Sequence, residues 1–478
     1  MPASRLGHNV GMTNVVIIGG GPGGYEAAAV AAQLGSQVSL IEPRGLGGSA
    51  VLTDVVPSKS LIATAETMTR LRQARALGLR PVATGAAELT DVVRPDLGPI
   101  NDRVLELAAE QSRDIEARLR DDGVRIIAGR GRLIGPRVVL AETADGPVRL
   151  RANVILVATG TRPRELPDAR PDGRRILTWT QLYRLPELPA RLIVVGSGVT
   201  GAEFAGAYHQ LGTDVVLVSS RDMVLPSEDP DAARVIQEVF ESSGMTIMSR
   251  SRARAARVVG DRVELTLSDG RIVTGSHVLM AVGSVPNTEQ LGLAENGVGL
   301  KPSGHIEVDR MSRTTAPGIY AAGDCTGVFP LASVAAMQGR IAMWHALGDA
   351  VRPLDLRAIA SNVFTTPEIA TVGVTQQMVD AGEVAARSVV VPLKGNARAK
   401  MYAHRDGFVK LFCLPQTGIV VGGVVVAPGA SELIYAVSLC VTNRLTVDQA
   451  ALAFTVYPSL SGSIADAGRR LHSFSANQ

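Results

Sequence analysis

The sequence predicts an α/β chain in which two Rossmann-like βαβ folds precede a separate C-terminal α+β domain. Three observations carry that prediction. The chain has 478 residues, which at ~150 residues per domain implies about three domains. Two glycine-rich loops of one design, 19–24 and 196–201, each follow a short β-branched run and open an alanine-rich or mixed apolar stretch. From about residue 352 strand-like runs alternate with helical ones, and no third glycine fingerprint occurs.

Taken in order, residues 1–11 read as a polar extension, with Met12 an alternative start. Residues 15–18 are a β-branched run bounded by glycine, as a buried parallel strand requires. A helix over about 25–34 and a strand over 37–41 complete the first βαβ unit. The second repeats it: strand 192–195, glycine loop 196–201, helix 202–211, strand 215–218. Such internal duplication means two dinucleotide sites in one chain, and hence electron or hydride transfer between two bound cofactors. Residues 317–326 predict a short strand ending in Gly323-Asp324, then a helix over about 331–347. The last part predicts strands at 363–366, 407–414 and 419–426 and helices at 428–442 and 447–453.

Composition excludes several classes. Lys and Arg number 48 against 45 Asp and Glu, a net charge of +3, with no like-charge block. That argues against a nucleic-acid binder or a polybasic membrane protein. No apolar run approaches the ~20 residues that span a bilayer, and no secretory signal pattern opens the chain. The expectation is a cytoplasmic protein. Cys325, Cys413 and Cys440 form no CxxC pair and no ligand spacing, so neither a disulfide scaffold nor a metal site is expected.

The first loop, Gly19-Gly20-Gly21-Pro22-Gly23-Gly24, is a G-x-G-x-x-G between strand and helix. Gly19 permits the tight turn, Gly21 the close approach of a pyrophosphate, and Gly24 the packing of helix on strand. The helix N-terminus offers N–H groups and its dipole to phosphate. Glu42 ends the second strand 18 residues after Gly24, where an acid bonds ribose hydroxyls. The second loop, Gly196-Ser197-Gly198-Val199-Thr200-Gly201, has the same context, but its second strand ends in Ser219-Ser220-Arg221. Hydroxyls and a guanidinium accept a 2′-phosphate that a carboxylate would repel. This favours NADPH, or use of both nicotinamides; the other reading leaves Arg221 a solvated turn residue.

The chain resembles the pyridine nucleotide-disulfide oxidoreductases of the lipoamide dehydrogenase and glutathione reductase type, over about 13–462. The resemblance rests on Ala158-Thr159-Gly160, on the run 281–288 with Gly283, on Tyr320-Ala321-Ala322-Gly323-Asp324, on LASVAAMQGR, on FTTPEIATVG at 364–373, and on GFVKLF at 407–412. It implies FAD in the first fold, with Gly48, Gly131, Thr159, Gly160 and Ala332 beside the loop residues, and Asp324 at the ribityl and pyrophosphate region. It implies NAD(P)H in the second fold, with Gly283 there, and a C-terminal dimerisation domain. The implied extents are 12–160 with 278–347 for FAD, 161–277 for NAD(P)H and 348–478 for the interface, in a homodimer or a dimer of dimers. Pro57-Ser58-Lys59 matches the family's P-S-K, whose lysine sits by flavin N5, and Glu203 matches the glutamate that pairs with it. A cation there stabilises charge on reduced flavin, and the carboxylate holds it.

The departures are as informative as the matches. The family's disulfide reductases carry Cys-x4-Cys before P-S-K; here those positions are Ala50 and Val55. No thiol–disulfide exchange passes through such a site. Cys325 falls outside that segment and reads as a small buried residue. The family's C-terminal His-Pro and following Glu are replaced by Tyr457-Pro458 and Gly462. His305, His404 and His472 read as surface residues, and His209 and His345 as helical with no partner implied. Every cofactor motif is kept while all four disulfide-reducing groups are lost. The pattern resembles the cysteine-lacking NAD(P)H:quinone reductases, with hydride passing from NAD(P)H through FAD to a quinone, and with Tyr457 either a donor to the quinone from the partner subunit or a ring filling the imidazole's space. Two other readings stay open: a soluble NAD(P) transhydrogenase, and a non-catalytic FAD-binding regulatory protein.

Overall fold

The computed structural model describes residues 13–83 and 85–472. The polar extension 1–11 and the alternative start at Met12 lie outside the described residues. The chain divides into two compact units.

The first unit comprises the described residues through Pro57 together with Val104–Pro163 and Ser284–Asp355. Its core is a five-stranded parallel sheet. The order is Ile319–Ala321, Val154–Val157, Asn14–Ile18, Gln37–Ile41, Arg125–Ile127. Val15, Val16, Ile17 and Ile18 are all buried, as a central strand covered on both faces demands. Helix Pro22–Gln33 covers one face through Ala27, Ala28 and Ala31. It crosses helix Ala332–Ala346 so closely that a Cβ on Gly339 would run into the Gly23 carbonyl oxygen. That approach is why both helices carry glycine and alanine where other helices carry leucine. An antiparallel sheet of Arg130–Gly135, Val138–Thr143 and Gly146–Arg151 packs on the other face.

The second unit comprises, among the described residues, those of Ser58–Arg103 and Arg164–Gly283 and those from Leu356 on. It repeats the parallel sheet in the order Thr246–Met248, Asp214–Val218, Arg191–Val195, His277–Met280, Ile176–Thr178. It also holds a five-stranded antiparallel sheet: Ala360–Val363, Glu368–Gly373, Val420–Ala427, Phe408–Cys413, Arg387–Pro392. Helix Ala430–Thr442 packs on that sheet through Ile434 and Val437.

The predicted strand 363–366 is corrected. The strand ends at Val363, and 364–367 is a turn into Glu368–Gly373. Pro367 has no N–H to give a ladder, and the Phe364 N–H points to a side chain, Glu203 Oε1, at 2.9 Å. Four histidines differ from their sequence reading, while His472 is exposed as expected. His305 and His404 are half-buried, the first against Ser303 and the second stacked on Tyr402. His209 bonds the Ser243 carbonyl and His345 the Tyr320 hydroxyl.

Candidate active site

In the first unit the glycine loop leaves the end of strand Asn14–Ile18 next to Val154–Val157, where the strand order reverses. Open α/β sheets bind ligands at that switch point. Gly19 sits at φ 106° and its N–H donates to Ile41 O at 2.9 Å. A Cβ on Gly24 would occupy the space of the Gly19 carbonyl oxygen. Gly21 is the N-cap of helix Pro22–Gln33; Pro22 opens the helix without an N–H, and the Gly24 and Tyr25 N–H groups donate to the Gly21 carbonyl at 2.8 and 2.9 Å. Gly48, at φ 58°, faces Gly21 backbone to backbone, and a Cβ there would stand 2.7 Å from Gly21 Cα.

Glu42 is buried, with Oε2 accepting the Gly20 N–H at 2.8 Å and Oε1 the Arg44 N–H at 3.0 Å. Thr159 Oγ1 donates to Asn287 O at 2.7 Å, and Gly160 turns the chain at φ 64°. Asp324 Oδ2 accepts from Thr161 Oγ1 at 3.2 Å. Burial pushes the Asp324 carboxyl up from the usual carboxylate range, against the opposing pull of Thr161 and His305. The turn that presents it is held by Gln338, a residue sequence reasoning missed: its buried Oε1 accepts the Gly323 N–H at 2.8 Å.

Gly21, Gly48, Thr159, Gly160, Asp324 and Ala332 line one cleft, and Ala50 and Val55 line it with them. A recess of about 910 Å³ opens beside Gly19 and Gly131 and shares Glu42, Arg44 and Thr159 with that cleft. The arrangement suits a dinucleotide. It offers a glycine cradle at a helix N-terminus for the diphosphate, a carboxylate for ribose hydroxyls, and a recess large enough to admit a nucleoside.

The second unit builds the same loop. Gly196 sits at φ 107° with its N–H on Val218 O at 2.9 Å. Gly198 is the N-cap of helix Val199–Gln210, and Val199 is exposed at the helix start. A Cβ on Gly201 would strike the Gly196 carbonyl. Gly283, at φ 91°, accepts the Arg164 N–H on its carbonyl. Ser219 is placed differently from a phosphate ligand. It is fully buried, and its hydroxyl is shared with Ser197 Oγ at 2.7 Å and the Arg221 backbone. Ser220 and Arg221 are exposed. Arg250, 29 residues on in sequence, is tied to them by its N–H on Arg221 O at 2.9 Å.

Lys59 and Glu203, 144 residues apart, meet in this unit. Nζ lies 2.8 Å from Oε2. Glu203 is 4% exposed, so its charge requires the partners it has: Lys59 on one oxygen and the Phe364 N–H on the other. The Lys59 ammonium also lies over the Phe364 ring, 4.8 Å from its centroid. Tyr457, by contrast, is 86% exposed, beside exposed Phe454 and Val456.

Residues 13–339 match the family model described as pyridine nucleotide-disulphide oxidoreductase, and 359–467 match that family's dimerisation domain. The chain belongs to the pyridine nucleotide-disulphide oxidoreductase family. Members bind FAD and use NAD(P)H. The chain is 54% identical over 470 residues to an NAD(P)H dehydrogenase (quinone) of Mycobacterium tuberculosis, covering 96% of this chain and 94% of the relative. It is 32% identical over 448 residues to the dihydrolipoyl dehydrogenase of Chlamydia trachomatis, covering 93% and 94%. The crystal structure of LpdA from M. tuberculosis superposes with a TM-score of 0.91 at 54% identity, covering 97% of this chain and all of that one. This member of the oxidoreductase family has, among its described residues, no helix long and apolar enough to cross a membrane.

Proposed function

We propose that this flavoenzyme passes electrons from NAD(P)H to a quinone without a thiol relay, and that it has no lipoamide dehydrogenase activity. The observation that carries the reading is the lining of the first-unit cleft. Ala50 and Val55 stand there at the positions of the family's redox cysteines, while the Lys59–Glu203 pair is intact. All three cysteines are buried elsewhere in the chain. The relative that shares 54% identity is named as a quinone enzyme, and the dihydrolipoyl dehydrogenase shares 32%.

FAD in the first fold supplies the two-electron carrier between nicotinamide and quinone. Gly21 and Gly48 would receive its diphosphate on the loop that Gly19 and Gly24 pack, Glu42 would take its ribose, Gly131 would border the recess beside it, and Thr159, Gly160, Asp324 and Ala332 would line the cleft with them. The loop 196–201 and Gly283 hold the nicotinamide cofactor, with Ser220 and Arg221 at its 2′ end. Lys59 provides a fixed positive charge and Glu203 keeps it in place. The implied domain extents, 12–160 with 278–347, 161–277 and 348–478, belong to this reading. So does a homodimer in the cytoplasm: Leu452, Phe454, Val456 and Tyr457 expose an apolar run within the dimerisation domain. A second copy would cover that run and bring Tyr457 to its neighbour's cleft.

Anaerobic stopped flow tests the proposal. NADPH or NADH should bleach the oxidised flavin band. A benzoquinone or naphthoquinone should then restore it, and lipoamide or glutathione disulfide should not. Faster reduction of an NAD+ analogue than of quinone would replace the reading with a transhydrogenase. Flavin that neither nicotinamide bleaches would replace it with a binding protein.

A further inference from the structure

We propose that Phe364 is a positioning residue for Lys59, holding the ammonium with its ring face while its own N–H holds the carboxylate that pairs with that ammonium. The inference rests on the reading of Lys59–Glu203 as the reaction's charge-balancing pair, and adds the group that fixes where the charge stands.

Lysine is poorly suited to mark a position by itself. Its ammonium rides on a flexible four-carbon stem and carries three rotatable donors. One ion pair, to Glu203 Oε2 at 2.8 Å, fixes a distance but leaves Nζ free to swing about the carboxylate. A second contact from another direction removes that freedom. The Phe364 ring provides it, with its centroid 4.8 Å from Nζ, inside the ~6 Å reach of a cation–π contact. The Lys59 side chain is only 25% exposed and Glu203 4%, so water weakens neither contact as it would on an open surface.

Phe364 is placed for this task rather than for the core. It is partly exposed. The apolar cluster on its sheet is built from Val372, Val409 and Val425. It stands where strand Ala360–Val363 ends, so its N–H has left the strand ladder and donates to Glu203 Oε1 at 2.9 Å. Thr365 Oγ1 donates to Pro367 O at 2.8 Å and pins the same turn. Main chain and ring of one residue thus hold both members of the pair. The family motif FTTPEIATVG marks the segment but not this division of labour between backbone and ring.

The test compares Phe364→Leu, which keeps apolar bulk and the N–H, with Phe364→Tyr, which keeps the ring, in the FAD-loaded full chain. Acetylation of Lys59 by limiting acetic anhydride is followed by peptide mass spectrometry. The leucine variant should label about 2- to 5-fold faster, the factor a contact of this kind carries. Its limiting rate of flavin bleaching should fall with little change in nicotinamide affinity, and the tyrosine variant should match the parent in both. Phe364→Met serves the same comparison if leucine lowers FAD content. Labelling of the leucine variant at the parental rate, or a tyrosine variant that labels as fast as leucine, overturns the proposal. The labelling readout does not involve the electron acceptor. Faster labelling in an enzyme that reduces no quinone would therefore sustain the role of Phe364 while removing the quinone reading.

Discussion

Lys410 Nζ lies 2.9 Å from Asp229 Oδ2, and both side chains are almost wholly buried, 3% and 1% exposed. The same ammonium reaches Asp231 Oδ2 at 2.9 Å. Asp229 spends its other oxygen capping helix Pro230–Ser242. Strand Phe408–Cys413 and that helix are therefore joined through a single lysine. Lys410→Met leaves a buried carboxylate without its cation, and should cost about 3–5 kcal/mol in denaturant unfolding. Adding Asp229→Asn, which keeps a capping oxygen, should recover much of the loss. A full-strength double mutant deficit would show that the damage is packing and not charge.

The pH dependence follows from the same cluster. The Lys410 hydrogen bond, with help from Arg234 and against burial, holds the Asp231 carboxyl below its ordinary range. A depressed carboxylate pKa contributes stability above the unfolded value of about 3.9 and loses it as pH falls through the folded value. Asp231 is 41% exposed, so solvent screening keeps the contribution small. Between pH 5 and 3, Lys410→Met should lose less stability than the parent does, measured by denaturant midpoint at each pH.

Removing the charge at the centre should affect chemistry more than cofactor content. Lys59→Met or Glu203→Gln should slow flavin bleaching by NAD(P)H about 100-fold or more, the order lost when a preorganised electrostatic group is deleted. The flavin absorbance per protein should stay near parental. Normal bleaching rates in both variants would remove the pair from the mechanism.

The two glycine loops should fail separately. An added methyl at Gly24 must displace the Gly19 carbonyl, and one at Gly201 the Gly196 carbonyl. Gly24→Ala should purify with little FAD. Gly201→Ala should keep its FAD and bind nicotinamide weakly, read by absorbance and by titration of flavin fluorescence.

Restoring thiols should not restore the relay. Ala50→Cys with Val55→Cys should leave lipoamide reduction far below that of a dihydrolipoyl dehydrogenase, because Tyr457 and Gly462 supply no acid–base pair. Vigorous lipoamide turnover by this double mutant would refute the account.

Nicotinamide choice should depend on Arg221. Arg221→Ala should lower kcat/KM for NADPH about tenfold while sparing NADH, since only the former offers a 2′-phosphate to a guanidinium. Equal losses with both would return Arg221 to a solvated turn.

Both parallel folds and their loops were legible in the residues, because glycine at a left-handed turn and β-branched residues in a doubly covered strand are local requirements with local signatures. Gly19, Gly24, Gly196 and Gly201 stand where the spacing puts them. The absence of thiols at Ala50 and Val55 was likewise legible without coordinates. The family resemblance named Lys59 and Glu203, and the folded chain sets them 2.8 Å apart. What the structure alone decided lies in contacts between distant segments. Ser219 looked open to a phosphate and proved buried against Ser197. Arg250 reached Arg221 across 29 residues. Phe364 read as strand and proved to be the turn residue whose N–H and ring meet Glu203 and Lys59. Hydrogen bonds and cation–π contacts depend on distances of a few ångströms between chain segments, and linear spacing carries no record of those distances.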